Sequence, residues 1–205
     1  MGNEGKCYIV GAGENYGLDF KPEEGDYTIA ADAGYGYLKD VGVMPDMVVG
    51  DFDSLNYIPN HPNTFKLKPE KDETDTWEAV RLGMEKGYGE FHLYCCTGGR
   101  IDHTIANIQL LVHIADMGGK GFLYDRDNVL TVIKNSEIMF DKAKQGYISV
   151  FSLSDTSKGV TIEGLKYEIT EAELTNRFPL GVSNEFMGKN SRISVRDGYL
   201  LIVSK

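Results

Sequence analysis

Several things are scarce in this 205-residue chain, and each scarcity removes a class. Cysteine occurs three times, at Cys7, Cys95 and Cys96, an odd number with no metal-ligand spacing and with two neighbours inside an apolar run. That count argues against a disulfide framework, and the three read as buried, reduced thiols of a cytoplasmic protein. Long hydrophobic runs are missing: nothing approaches the roughly 18 apolar residues that a membrane span requires. The opening MGNEGKCYIVGAGEN is acidic and has no long apolar stretch, so no secretory leader is expected. The pattern G-x-x-x-x-G-K-[ST] is absent, which excludes a P-loop kinase. His61, His92 and His113 have no metal spacing, and Trp77, the single tryptophan, sits in a helical pattern where core packing accounts for it. There is no internal repeat and no low-complexity segment.

Positive charge is also in short supply. Thirty-one Asp and Glu against 21 Lys and Arg leave a net charge of −10. A nucleic-acid binder carries a basic stripe, and none is visible, so no nucleic-acid partner is expected. An acidic chain that handles phosphates needs metal ions or a local glycine-rich anion site, and it tolerates a cationic substrate. Apolar residues at 41% and charged residues at 25% are ordinary for a globular protein. A chain this long buries about 70% of its unfolded surface and needs no staple.

What is present falls into two textures. Up to about residue 128, short β-rich runs (CYIVGAG, YTIAAD, DMVVGD, EFHLYC, GFLYD) are separated by helical patterns, notably TWEAVRLGMEKG at 76–87 and IDHTIANIQLLVHIADMG at 101–118. In the latter, Ile101, Ile105, Ile108, Val112 and Ala115 recur at steps of four and three, which predicts an apolar stripe on one helical face. Alternating strand and helix predicts a Rossmann-like parallel-sheet α/β domain over residues 1–128. From 129 to 205 short strands alternate with Gly, Asn, Asp and Lys turns, predicting an antiparallel β-sandwich domain. There, Asp197-Gly198 between RISVR and YLLIVS reads as a two-residue hairpin, and EITEAELTNRF as at most a short helix.

Ligands of open α/β sheets bind beyond the carboxyl ends of the strands. Those positions hold Gly11-Ala12-Gly13, Asp32-Ala33-Gly34, Gly50-Asp51-Phe52-Asp53-Ser54, and Thr97-Gly98-Gly99-Arg100 followed by Asp102 and His103. Asp51 and Asp53, two apart, project to one side if the chain stays extended; they suit a divalent cation or simply a backbone turn. Asp72-Glu73-Thr74-Asp75 is an ordinary acidic helix start or a source of a third metal ligand in Asp75. Gly98-Gly99-Arg100 is a plain glycine turn or a phosphate cradle with an Arg fork. Gly11-Ala12-Gly13 lacks the third glycine of a dinucleotide fingerprint.

Together these residues resemble the thiamine pyrophosphokinase family. The match runs through Asp32-Ala33-Gly34, PDMVVGDFDSL (45–55), KDETDTWEA (71–79), GGRIDHTIANIQLL (98–111) and GVSNE (181–185), in order and across nearly the whole chain. One departure is Ala33, where many members have glycine. The resemblance implies a homodimer that moves the terminal diphosphate of ATP in one step to the hydroxyl of thiamine, releasing AMP. It implies Mg²⁺ held by Asp51, Asp53 and Asp75, one of which also receives the thiamine proton. Asp32 and Thr74 would lie beside the nucleotide and diphosphate, and Gly98, Gly99, Arg100, Asp102 and His103 would cradle ATP. Ser183, Asn184 and Glu185 would meet thiamine across the dimer. A metal-dependent glycosyltransferase built on the D-x-D leaves the second acidic loop and GVSNE without a role. A non-catalytic nucleotide or thiamine sensor differs only in lacking turnover.

Overall fold

The runs rich in Val, Ile and aromatic residues become strands, and their burial on both faces explains why they are nearly continuous in apolar residues. In the computed structural model, which describes residues 3–52, 57, 59–67 and 73–205, the chain divides into two units. One comprises residues 1–110 and 118–126, the other 111–117 and 127–205. The first unit contains β1 (Cys7–Val10), β2 (Tyr27–Ala31), β3 (Met47–Gly50), β4 (Thr64–Lys66), β5 (Glu90–Tyr94) and β6 (Lys120–Tyr124). They lie in the order β6-β5-β1-β2-β3-β4, and every adjacent pair is parallel. The helices are α1 (Gly34–Asp40), α2 (Asp75–Glu85) and α3 (Ile101–Asp116).

Register sorts the side chains onto two faces. Val10 pairs with Ala30 and Tyr94, and Ala30 with Val48. These four share one core with Leu38 of α1 and with Phe52. Cys7 and Phe91, out of phase with them, meet α2. There a Cβ on Gly83 would stand 2.9 Å from Cys7 Sγ and 2.8 Å from a Phe91 ring carbon, so only glycine lets the helix sit so close. The β1–β2 connection forms no helix; it covers the sheet with Phe20, stacked on Tyr8 at 4.3 Å and 4.8 Å from Tyr94. The chain leaves β1 toward β2 and leaves β5 toward β6, in opposite directions. A crevice opens at the carboxyl ends of strands where the direction of travel switches in this way.

The second unit holds β7 (Val129–Lys134), β8 (Glu137–Phe140), β9 (Tyr147–Ser152), β10 (Thr156–Glu163), β11 (Ile169–Thr175), β12 (Gly181–Glu185), β13 (Ser191–Ser194) and β14 (Tyr199–Ser204). Two antiparallel sheets form, β12-β9-β14-β7 and β11-β10-β13-β8. Ile133, Ile148, Val150, Leu200 and Ile202 of the first pack with Val160, Ile162, Leu174 and Ile193 of the second. This is the sandwich expected from the alternating strands.

Three sequence expectations are corrected. Asp197-Gly198 is not a hairpin turn, because β13 and β14 belong to different sheets. Ile193 and Leu200 reach the same core from opposite layers, so the chain must cross between them. Lys158 and Asn135 anchor the crossing: Lys158 N donates to Asp197 O at 2.8 Å and Gly198 N to Asn135 Oδ1 at 2.8 Å. The segment EITEAELTNRF forms no helix; it supplies β11, whose Leu174 enters the core. In α3 the buried face is Asn107, Leu110, Leu111 and Ile114, whereas Ile101 and Ile105 are 73% and 53% exposed. The helix is apolar on more than one side, and a buried asparagine disguised the inner one.

Candidate functional site

A cleft of about 1040 Å³ opens at the carboxyl ends of β1, β2 and β5. Four chain segments meet there: residues 12–15, 31–32, 73–76 and 95–100, with Tyr37, His103 and Asn107. Of the sequence-predicted residues, Asp32, Thr74, Asp75, Gly98, Gly99, Arg100 and His103 all line it. Asp51 and Asp102 are not among its lining residues, and Asp53 lies outside the described residues, as does Asp72.

Close backbone approach builds the walls. Gly13 N donates to Cys95 O at 2.6 Å and Glu14 N to Thr97 O at 2.9 Å, zipping the segment after β1 to the segment after β5. A Cβ on Gly13 would come within 2.5 Å of Thr97 O. Gly11-Ala12-Gly13, a weak dinucleotide signal by spacing, is therefore a joint between two loops of the cleft. Asp32 leaves β2 in the left-handed region at φ 51, with its N–H bonded to Val49 O at 2.8 Å.

The acidic loop is a capped helix start that also reaches the cleft. Thr74 caps α2, its Oγ1 accepting from Trp77 N at 3.2 Å, and Asp75 opens the helix where the dipole favours an acid. Glu73, Thr74, Asp75 and Thr76 also line the cleft. Among the described residues no three His, Cys, Asp or Glu side chains form a metal cage. The acidic donors on the wall are nevertheless hard oxygens, the carboxylates of Glu14, Asp32, Glu73 and Asp75. That set fits Mg²⁺, which takes one or two carboxylates with substrate phosphates and water rather than a full protein cage.

Opposite, Gly98 and Gly99 adopt φ 79 and φ 60. Arg100 forks onto Asp102, with Nε at 3.2 Å and Nη2 at 2.6 Å, and Asp102 Oδ1 also accepts from His103 N at 3.0 Å. The Arg100 hydrogen bond, chiefly, holds the Asp102 carboxyl below its ordinary range. Both side chains are exposed, so water screens the pair and Arg100 loses little by turning to an anion. Asp102 thus steers Arg100 and the start of α3. Behind the loop, burial pushes the Cys95 and Cys96 thiols up to about 12, which makes them poor nucleophiles at neutral pH.

Ser183, Asn184 and Glu185 occupy β12 in the second unit, at a register shift between Gly181 and Asn184. Ser183 takes φ 59 and is exposed, with its N–H on Ser149 Oγ at 3.1 Å. Glu185 pairs with Lys166 at 2.8 Å. Asn184 is buried and faces inward: its Oδ1 accepts from Tyr167 N at 2.9 Å and its Nδ2 donates to Tyr167 O at 2.7 Å.

Sequence reasoning missed Tyr37, whose hydroxyl donates to Gly13 O at 3.1 Å, and named Thr97 without giving it a role, though its Oγ1 donates to Asp125 Oδ1 at 2.7 Å. It also assigned nothing to Asn107, although a polar residue in an apolar helix was a usable signal.

The chain is similar to known proteins over its whole length. Residues 22–121 match the family model "Thiamin pyrophosphokinase, catalytic domain", and residues 135–200 match "Thiamin pyrophosphokinase, vitamin B1 binding domain". Thiamine pyrophosphokinase of Bacillus subtilis is 28% identical over 204 residues, covering 95% of each chain. The solved structure of that enzyme superposes with a TM-score of 0.85 at 26% identity and covers 98% of both chains. The thiamin pyrophosphokinase of Geobacillus thermodenitrificans superposes with a TM-score of 0.85 at 28% identity, covering 98% of this chain and 97% of that one. Yeast thiamin pyrophosphokinase, at 16% identity and a TM-score of 0.74, shares the fold.

Proposed function

Because the chain belongs to the thiamin pyrophosphokinase family, we propose that the cleft at the ends of β1, β2 and β5 holds ATP while its terminal diphosphate passes to thiamine. The chain is an enzyme of thiamine diphosphate synthesis. One observation carries the placement of the nucleotide: Asp32, Thr74, Asp75, Gly98, Gly99, Arg100 and His103, drawn from three separate family motifs, line a single cleft.

The chemistry is positioning and charge neutralisation, with little covalent work for the protein. The backbone amides of Gly98, Gly99 and Arg100 face the phosphates, and the Arg100 guanidinium balances their charge. Asp102 and His103 complete the ATP cradle from the first turn of α3, and Asp32 and Thr74 flank the nucleotide and the diphosphate. Asp75 would hold Mg²⁺ from the cleft wall, together with Asp51 and Asp53 as the family resemblance implies, and the ion would supply neutralisation of the phosphate oxygens. The hydroxyethyl oxygen of thiamine attacks the β-phosphorus, its bond to that phosphorus forms as the bond to AMP breaks, and its proton passes to one of these three carboxylates.

The second domain, beginning near residue 129, binds thiamine. Ser183 and Glu185 offer a hydroxyl and a carboxylate to the aminopyrimidine, while Asn184 fixes the strand that carries them. The acidic surplus suits the cationic thiazolium. We place the complete site between two copies of the chain, a homodimer for which exposed Ile101 and Ile105 beside Arg100 provide apolar surface. Three free, buried thiols suit a reducing cytoplasm.

The test is to incubate the purified chain with ATP, Mg²⁺ and thiamine and to resolve the products by chromatography. AMP and thiamine diphosphate appearing together, and only with thiamine present, is the expected result. ADP with thiamine monophosphate would move the attack to another phosphorus, and no turnover with both ligands bound would make the chain a sensor.

A further inference from the structure

Asn107 is only 4% exposed, yet it lines the cleft from the buried face of α3 among Leu110, Leu111 and Ile114. A buried carboxamide is costly unless it is hydrogen-bonded, and here its Nδ2 donates to Cys96 O at 2.7 Å. That carbonyl stands at the root of the Thr97–Arg100 loop. The residue before it, Cys95, is held in the left-handed region at φ 53, a conformation that persists in a non-glycine residue only where its surroundings over-determine it. The residues after it include Gly98 and Gly99, which have little conformational preference of their own.

We propose that Asn107 is a positioning residue for the nucleotide: it ties the start of the Thr97–Arg100 loop to the second turn of the helix that follows, and so fixes the loop amides against the ATP phosphates. Its neighbour in this task is Asp125, which holds the Thr97 hydroxyl at 2.7 Å from the end of β6. Asn107 touches no reacting atom in this account; it acts through the Cys96 carbonyl. The inference rests on the proposed placement of ATP in this cleft.

The test compares Asn107→Leu and Asn107→Asp with the unsubstituted chain in steady-state kinetics, from about pH 9 to about pH 6. Losing the donor leaves the Cys96 carbonyl unsatisfied. Asn107→Leu therefore lowers kcat/KM for ATP roughly tenfold to a hundredfold, with the KM for thiamine unchanged. Asn107→Asp in its ionised form is no better, because a carboxylate cannot donate. When protonated, the introduced carboxyl regains an O–H donor, and burial raises the pH at which that occurs. The activity of Asn107→Asp relative to the unsubstituted chain thus rises roughly tenfold toward low pH, while the ratio for Asn107→Leu stays flat. The ionisable side chains that line the cleft (Glu14, Asp32, Tyr37, Glu73, Asp75, Cys95, Cys96, Arg100 and His103) are common to all three proteins, so the ratios isolate the substitution.

Flat ratios for both variants, or a thiamine KM that moves with that for ATP, would overturn the proposal. If Asn107→Leu does not fold in a thermal melt, the pH course of Asn107→Asp decides alone. If the unsubstituted chain binds ATP without turnover, the functional reading fails separately, and the same comparison is read from ATP dissociation constants.

Discussion

The side chain of Asn184 grips both ends of one residue, taking the Tyr167 amide at 2.9 Å and giving to the Tyr167 carbonyl at 2.7 Å. Asn184→Ala breaks both bonds and a third that its Oδ1 accepts from Glu185 N at 2.9 Å. Leaving these groups unsatisfied costs about 1–3 kcal/mol, visible as a lower melting temperature. Because β12 carries Ser183 and Glu185, the KM for thiamine should rise more than that for ATP. A change confined to ATP would contradict the placement of thiamine in the second domain.

Asp75 combines a helix-start position with a place on the cleft wall. Asp75→Asn keeps the shape and the Thr74 cap, so the helix loses only about 0.3–1 kcal/mol of dipole interaction and the protein stays folded. Turnover should fall about a hundredfold or more, since the proposed metal site would lose a full charge. Near-normal rates at saturating Mg²⁺, with an unchanged melt, would remove Asp75 from the metal site.

His92 gives the first unit a pH dependence. Its ring lies between Tyr8 at 5.3 Å and Phe122 at 5.1 Å, with Nδ1 2.8 Å from the Tyr124 hydroxyl and Nε2 3.0 Å from Glu90. Burial lowers its pKa below the ordinary 6.5; the Glu90 hydrogen bond opposes this less strongly. The unfolded chain therefore binds the proton first as pH falls. This contribution to stability is complete above about pH 6.5 and is lost as pH drops from there through the lower folded value. Melting temperatures between about pH 7 and pH 5 should fall more steeply for the unsubstituted chain than for His92→Gln. Parallel slopes would mean that other groups carry the effect.

Cysteine chemistry should be silent. Burial raises the pKa of all three thiols, Cys7 most strongly. A thiol reagent at about pH 8 should modify none of them in minutes without loss of fold, and all three after denaturation. Rapid modification of one thiol with loss of activity would contradict this.

The sheet and the cleft were legible because parallel strands are continuous apolar runs and the loops beyond them are rich in glycine and carboxylates. Asp32, Asp75 and Gly98 could be placed from that alone. Other features depend on partners distant in sequence. Asp197-Gly198 looks like a hairpin until the opposite layers claim Ile193 and Leu200. The inner face of α3 carries Asn107, which breaks the apolar pattern because its hydrogen bond to Cys96 matters more than its hydropathy. The two bonds of Asn184 to Tyr167, seventeen residues away, are likewise invisible in GVSNE.

The most direct measurement is a crystal structure of the chain with Mg²⁺ and a non-hydrolysable ATP analogue. The account predicts phosphate oxygens at about 3 Å from the amides of Gly98 to Arg100, with Arg100 turned from Asp102 toward them and the metal against Asp75. A triphosphate bound outside the cleft of Asp32, Asp75 and Gly98 would contradict it.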